Sequence, residues 1–484
     1  MDQILYESWM IVAILPEILV VLLAVFVLFL DLALKEKFRR NMGWVVAVGL
    51  GLALVLGLVF SRPSDEGQLM WGGMLMQDWL GFTFRMLFLF AAAMTALFSM
   101  DLPRLGNRGE FYLLMLSSTL GMMLMAASAD LIMLYLAIET TSIPLYILAG
   151  FLIRDDKSTE SGFKYLLFGA MTSAVMLYGF TLLYGFTGTT NLYALSLQVQ
   201  QGVLGTATLV GILLMVLIGF GFKISAVPLH FWAPDVYEGA PTPIAGFLST
   251  ASKAAGFAVL LRFFLAVFPA YSPYWGAVVA ALAVATMTLG NLIALAQKNI
   301  KRLLAYSSIA HAGYAMIGFV AVSYLGASSV VFYLIVYVIT NLAAFGIVAV
   351  VGRITGTDEI ASYAGLSRRS PWIAMAMLVS FLSLAGMPPF GGFVVKFAVF
   401  AAAVDANMVW LAVIGVLNSI IGLYYYLTVL KHVYLFRSED EDKPLPVTRP
   451  YAVGIIFLCL GIILVGTVFA PWIMISNSAA ASLF

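Results

Sequence analysis

The sequence predicts an all-α polytopic membrane protein, and three observations carry that prediction. Apolar residues make up 63% of the 484 and charged residues 10%, where a soluble domain carries about 45–50% and about 25%. Mean hydropathy over the whole length is +1.02. The apolar residues gather in runs close to the roughly 20 that cross a bilayer as one helix. Too little charge is present to coat a water-facing globule, so soluble enzymes are excluded.

Fourteen such runs, numbered α1 to α14, follow one another at 9–34, 42–60, 78–100, 111–127, 130–152, 162–186, 208–236, 242–268, 274–296, 303–323, 328–351, 371–402, 407–430 and 451–474. Their connections are short and insert no soluble domain, so the whole chain, 1–484, reads as one membrane domain. The opening stretch "MDQILYESWM" carries Asp2 and Glu7 but no Lys or Arg. It lacks the positive start of a signal peptide, and α1 is expected to be retained as a span. Basic residues then alternate by connection. One face collects Lys35, Lys37, Arg39 and Arg40, then Arg104 and Arg108, then Arg154 and Lys157. It continues with Lys298, Lys301 and Arg302, with Arg353, Arg368 and Arg369, and with Lys431, Arg437, Lys443 and Arg449. The opposite face has only Arg62. Cytoplasmic loops hold the excess of Lys and Arg, so both termini are expected outside.

Other classes fall away quickly. A net charge of +1 advertises neither nucleic acid nor an acidic partner. Cys459, alone in an apolar run, builds no disulfide framework and no iron–sulfur site. Three scattered histidines offer no facing pair for haem. The glycines of "GLGLALVLG" lack the spacing of a dinucleotide loop and lie inside α2. No cofactor or metal is expected in this chain.

Six basic residues fall inside spans: Arg85, Lys164, Lys223, Lys253, Arg262 and Lys396, together with the acids Glu17 and Glu139. A charge at the helix centre costs about 2.5–3.5 kcal/mol and by default faces a polar interior; near a helix end a long side chain snorkels to the interface instead. Arg85 and Arg262 lie within two turns of an end and are expected to snorkel, while Lys164, near the cytoplasmic end of α6, leaves both readings open. Glu17, beside Pro16, reads as a capping or packing group. Glu139, Lys223 and Lys253 lie near mid-bilayer at ~1.5 Å rise per residue, and read as functional.

Two helices are broken beside a lysine. Pro228 interrupts α7 in "GFGFKISAVPLHFW", and Pro388 and Pro389 interrupt α12 in "SLAGMPPFGGFVVKFAVF", just before Lys396. Proline removes a backbone donor and bends the chain away from the helix. Such backbone survives at membrane depth only where protein or a wet cavity satisfies it, and paired breaks point to an ion site. α7 and α12 are five spans apart and therefore run in opposite directions. His311, in "YSSIAHAGY" of α10, adds a group that both accepts and donates a proton near neutral pH. Ser307, Ser308, Thr340, Asn341, Asn418 and Ser419 are polar at depth and read first as interhelical hydrogen bonds. His230 and His432 lie near the cytoplasmic ends and carry less weight.

Low dielectric disfavours an ammonium and a nearby carboxylate favours it, so a Glu–Lys pair of variable separation is a proton switch. That physics suits Glu139 with Lys223 or Lys164, passing protons through Lys253 and His311 to Lys396.

Three stretches carry a family resemblance: "VPLHFWAPDVYEGAPTPIAGFLSTASKAAGF" (227–257), "NIKRLLAYSSIAHAGYAMIGF" (299–319) and "SLAGMPPFGGFVVKF" (383–397). They resemble the subunit N family of bacterial NADH–quinone oxidoreductase (respiratory complex I), antiporter-like membrane subunits, and the likeness spans essentially the whole chain. The resemblance implies two inverted five-helix repeats, α4–α8 (111–268) and α9–α13 (274–430), after three N-terminal helices (1–110) and before a C-terminal helix (451–484). It carries the family's key residues onto Glu139, Lys164, Lys223, Lys253 and Lys396. It implies proton translocation driven by redox chemistry in partner subunits, which would hold NAD, FMN, iron–sulfur clusters and quinone. The neighbours expected are the antiporter-like subunit M, the small subunits K and J, and membrane lipid. Subunit M carries glutamate where this chain has Lys396, and subunit L adds a long lateral helix. The alternative is a subunit of a multi-subunit Na⁺/H⁺ antiporter.

Overall fold

The structure is a computed structural model and describes residues 8–33, 39, 41–102, 104–438 and 443–484. Asp2, Glu7, Lys35, Lys37 and Arg40, part of the charge pattern, lie outside the described residues.

Among the described residues thirteen helices are long and apolar enough to cross a membrane. The remaining run, α12, is two 15-residue helices, Pro371–Ala385 and Gly391–Asp405. α7 is likewise divided, into Thr206–Ile224 and Trp232–Gly239. Asp78, Asp130, Asn191, Asn299 and Ser323 each accept a backbone N–H of the helix they precede, the usual satisfaction of orphan donors at an N-terminus. Periodicity missed smaller pieces: a hairpin, Gln68–Met70 with Leu75–Gln77, and the helix Leu192–Gln200. The last apolar run also ends early, at Thr467, before a separate helix Ala470–Ala481.

Both breaks turn on a left-handed residue. Thr206–Ile224 ends at Ser225, with φ +59°. Pro371–Ala385 ends at Gly386, with φ +85°. A Cβ at position 386 would stand 2.8 Å from Cδ of Lys396, so this glycine is required both for the turn and for room beside the lysine.

The centre of the molecule is α8, continuous over Thr242–Val267, and α11, Tyr324–Thr355, both buried along their apolar length. α8 contains π-helical stretches at Leu248–Ser252 and Arg262–Val267, the first ending immediately before Lys253. Apolar side chains such as Leu22, Phe29, Val48, Phe163, Phe397 and Leu460 are exposed, as a lipid-facing surface requires. Lipid offers no hydrophobic force between helices, so close packing must hold them. α9 (Ser272–Ala294) and α10 (Ile300–Val320) show how: a Cβ at Gly313 would lie 2.6 Å from the Met287 nitrogen, and one at Gly290 2.7 Å from that of Ala310.

The connections gather at two ends. At one, Lys157 pairs with Glu238 at 2.8 Å, Lys301 with Asp358 at 3.6 Å and Arg353 with Asp101 at 3.9 Å, while Leu445 N–H donates to the Arg369 carbonyl at 3.3 Å. These are the basic connections. At the other end Leu75 bridges Ser128 and Asp130 bridges Asn191, and Tyr324 donates to the Asn477 carbonyl at 3.0 Å.

The expectation that Arg85 and Arg262 snorkel is corrected. Both are buried, at 1% and 2% side-chain exposure. Arg262 grips Asp78 with two bonds, 2.6 and 2.9 Å, and also donates to the Ala126 carbonyl and Tyr193 hydroxyl. Arg85 pairs with Glu17 at 3.3 Å and donates to Gln77 and the Ala13 carbonyl. Each guanidinium finds a carboxylate and carbonyls inside the protein, so neither needs to reach water.

Candidate functional site

The buried lysines occupy consecutive positions along the centre of the molecule. Lys223 lies in the last turn before the first break and donates to the Ser142 hydroxyl. Ser142 stands three residues after Glu139 on Leu131–Ala149, which places both on one helix face. Glu139 itself accepts from Ser173 of Asp156–Thr187. Glu139 is thus held by one serine, and a second serine, one turn on, meets the Lys223 ammonium. A small cavity lined by Ser142, Ser173, Gly219 and Lys223 lies between the helices.

Lys164 belongs to a different group. Its ammonium contacts Glu160 and Asp235, each at 2.6 Å, and is one-third exposed. Asp235 is shared with Arg302 at 2.8 Å, which also holds Glu238 at 2.9 Å. This network ties the second half of α7 to α6 and α10 at the basic end, beside a cavity of about 520 Å³ lined by Lys157, Glu238, Lys301, Arg353 and Asp358.

Lys253 is reached next. Gly256, one turn on, packs against Lys223: a Cβ there would stand 3.1 Å from the lysine's Cβ. The Lys253 ammonium donates to Ser308 at 2.5 Å, with the Tyr237 ring 6.0 Å away. Ser308 and His311 are three residues apart on α10 and share a face. His311 Nδ1 meets the Tyr333 hydroxyl at 2.6 Å and Nε2 the Tyr426 hydroxyl at 3.2 Å. A second small cavity joins His311, Tyr337 and Thr340 to Ser383, Leu384 and Gly392 of the α12 break.

Lys396 closes the series. Its ammonium donates to the Leu384 and Ala385 carbonyls, both at 3.0 Å, and to Ser419 at 2.9 Å. The two carbonyls are orphan acceptors at the end of Pro371–Ala385, where the helix dipole is negative. Three donors thus meet three acceptors. A neutral amine would leave one acceptor unmatched, except that the Ser419 hydroxyl can turn and donate.

Of the six residues expected to act, Lys223, Lys253, His311 and Lys396 are buried and Glu139 is half-buried one turn from the serine that meets Lys223, while Lys164 lies in the charged end network. Sequence reasoning missed Ser142, Ser173, Tyr333 and Tyr426, the hydroxyls between the ionisable groups; only the position of Ser142, one turn beyond Glu139, signals its role. Among the described residues no group of three or more His, Cys, Asp or Glu stands where it could hold a metal.

The family model described as "NADH:quinone oxidoreductase/Mrp antiporter, TM" matches residues 128–422. NADH-quinone oxidoreductase subunit N of Moorella thermoacetica is 44% identical, with 97% of this chain and 98% of the relative covered. A chain of respiratory complex I from Thermus thermophilus superposes with TM-score 0.79 at 34% identity, covering 95% and 98% of the two chains. A chain of the Mrp complex from Dietzia sp. gives TM-score 0.84 at 21% identity over 99% and 98%, a likeness of fold alone. Break, lysine and histidine sit inside the matched segment, and the chain belongs to the subunit N family of NADH–quinone oxidoreductases, a family of antiporter-like membrane subunits.

Proposed function

We propose that this chain moves protons across a bacterial plasma membrane as the N-type subunit of an NADH–quinone oxidoreductase, through Glu139, Lys223, Lys253, His311 and Lys396. The observation that carries this is the spacing of ionisable groups by hydroxyls at membrane depth: Ser142 at Lys223, Ser308 at Lys253, Tyr333 and Tyr426 at His311, and Ser419 at Lys396. A hydroxyl accepts from an ammonium and donates to an amine, so it serves a lysine in either protonation state. Lys164, with Asp235 and Arg302, supplies charge at the cytoplasmic mouth. Driving one charge across takes about 2.3 kcal/mol per 100 mV. That work comes from redox chemistry in partner subunits holding NAD, FMN, iron–sulfur clusters and quinone, transmitted through subunits of the M, K and J type. The antiporter alternative rests on a family model whose description also covers the Mrp antiporter and on a likeness of fold to a chain of the Mrp complex.

The chain is read as three N-terminal helices (1–110), two inverted repeats (111–268 and 274–430) and a C-terminal helix (451–484), with both termini outside. Thiol labelling checks the orientation. In a Cys459→Ser background, a membrane-impermeant reagent added outside is expected to modify Phe484→Cys and to spare Ile153→Cys; both side chains are exposed. Modification of Ile153→Cys alone would reverse the orientation.

The functional test is Glu139→Ala in the intact, assembled complex, with proton pumping per electron measured in proteoliposomes. Pumping is expected to fall to well under half of the parent's, while Glu139→Asp keeps a good part of it. Parent-like pumping by Glu139→Ala would remove the carboxylate from the path.

A further inference from the structure

The two lysines at the breaks are not furnished alike. Lys223 has Glu139 one turn from its serine partner. The partners of Lys396 are two carbonyls, a serine and the ring of Tyr314, whose centroid lies 4.9 Å from the ammonium. None is a carboxylate. The ring is buried at 2% exposure and its position is fixed from several sides. Asn291 donates to its hydroxyl at 2.9 Å, and the Asn291 oxygen accepts from Tyr425 at 3.1 Å. His311 stands edge-on to it with ring centroids 5.7 Å apart, and Phe400 stands edge-on at 6.4 Å. Tyr314 therefore occupies the space between the histidine and the lysine of the path.

We propose that the face of Tyr314 does for Lys396 what the carboxylate of Glu139 does for Lys223: it stabilises the ammonium state, so that the second repeat holds a proton on its lysine without a counter-charge. A cation over an aromatic face is attracted by the ring quadrupole, and most strongly where water is excluded. A ring carries no net charge, so a proton can leave Lys396 without abandoning a buried anion, which would be costly. The Asn291 bond anchors the ring; the ring face is what acts. This inference rests on Lys396 being a proton carrier.

The test uses the intact complex in proteoliposomes, read as protons pumped per electron transferred. Tyr314→Phe keeps the face and is expected to retain more than half of the pumping. Tyr314→Leu removes the face and is expected to lose about tenfold, within the range of a desolvated cation–π contact. Should the leucine variant not assemble, Tyr314→Met, whose flexible chain fills irregular space, carries the same expectation. Mono-, di- and trifluorinated phenylalanine at position 314 keep the shape while draining the ring, and pumping is expected to fall stepwise along that series. A flat series, or Tyr314→Phe failing as badly as Tyr314→Leu, overturns the inference and makes the hydroxyl or the bulk the essential part. Lys396→Arg separates the two levels: if it pumps like the parent, the proton-path reading has failed, whereas its loss beside a parent-like Tyr314→Leu leaves the path standing and sinks the inference alone.

Discussion

Asp78→Ala is expected to destabilise the protein by about 3–5 kcal/mol, the cost of leaving a buried charge without its partner. Arg262 is 2% exposed and spends two bonds on Asp78; with the carboxylate gone, the guanidinium keeps only the Ala126 carbonyl and Tyr193 hydroxyl. Asp78 also accepts from Gly81 N at 2.8 Å and so starts the helix Trp79–Ser99. The double replacement Asp78→Leu with Arg262→Met removes both charges and fills the space with apolar atoms. It is expected to recover most of the loss and to retain about 1 kcal/mol of it, the worth of the helix cap. The thermal midpoint of the solubilised complex and the assembled fraction check both variants. An Asp78→Ala protein as stable as the parent would mean that Arg262 reaches water after all.

That pair also marks where the sequence stops being readable. The two breaks are local events: Pro228, Pro388 and Pro389 remove donors at named positions, and the chain stops being helical there whatever surrounds it. That Lys223, Lys253 and Lys396 are buried is legible from their places inside apolar runs. The fate of Arg262 is not, because its partner lies 184 residues away, at the cap of a helix that follows a hairpin with no periodic signature. The same holds for Glu139, whose serine comes from another helix 34 residues on. Nor does an aromatic residue in an apolar helix declare itself: Tyr314 reads as packing until the Lys396 ammonium is found over its face. Lys164 illustrates the converse. Its span is evident from sequence, yet only the helix Trp232–Gly239, which folds back after the first break and presents Asp235, decides that it belongs to the charged end.

The second large effect is expected at Lys396. Lys396→Met preserves bulk but takes one donor from each of the Leu384 and Ala385 carbonyls and Ser419, and it removes the titrating group. Pumping is expected to fall about a hundredfold, the lower part of the span usual for a positioned acid–base group at 10²–10⁴, while the complex still assembles. Methionine alone does not separate a proton carrier from a structural cation, because both would be lost. Arginine does. It keeps the charge and the hydrogen-bond donors, and it does not deprotonate in proteins. The measurement that bears most directly on the proton path is therefore pumping per electron by the fully assembled Lys396→Arg complex in proteoliposomes. The buried path predicts that this complex transfers electrons but pumps far less than the parent; pumping equal to the parent would make Lys396 a fixed charge and contradict the path.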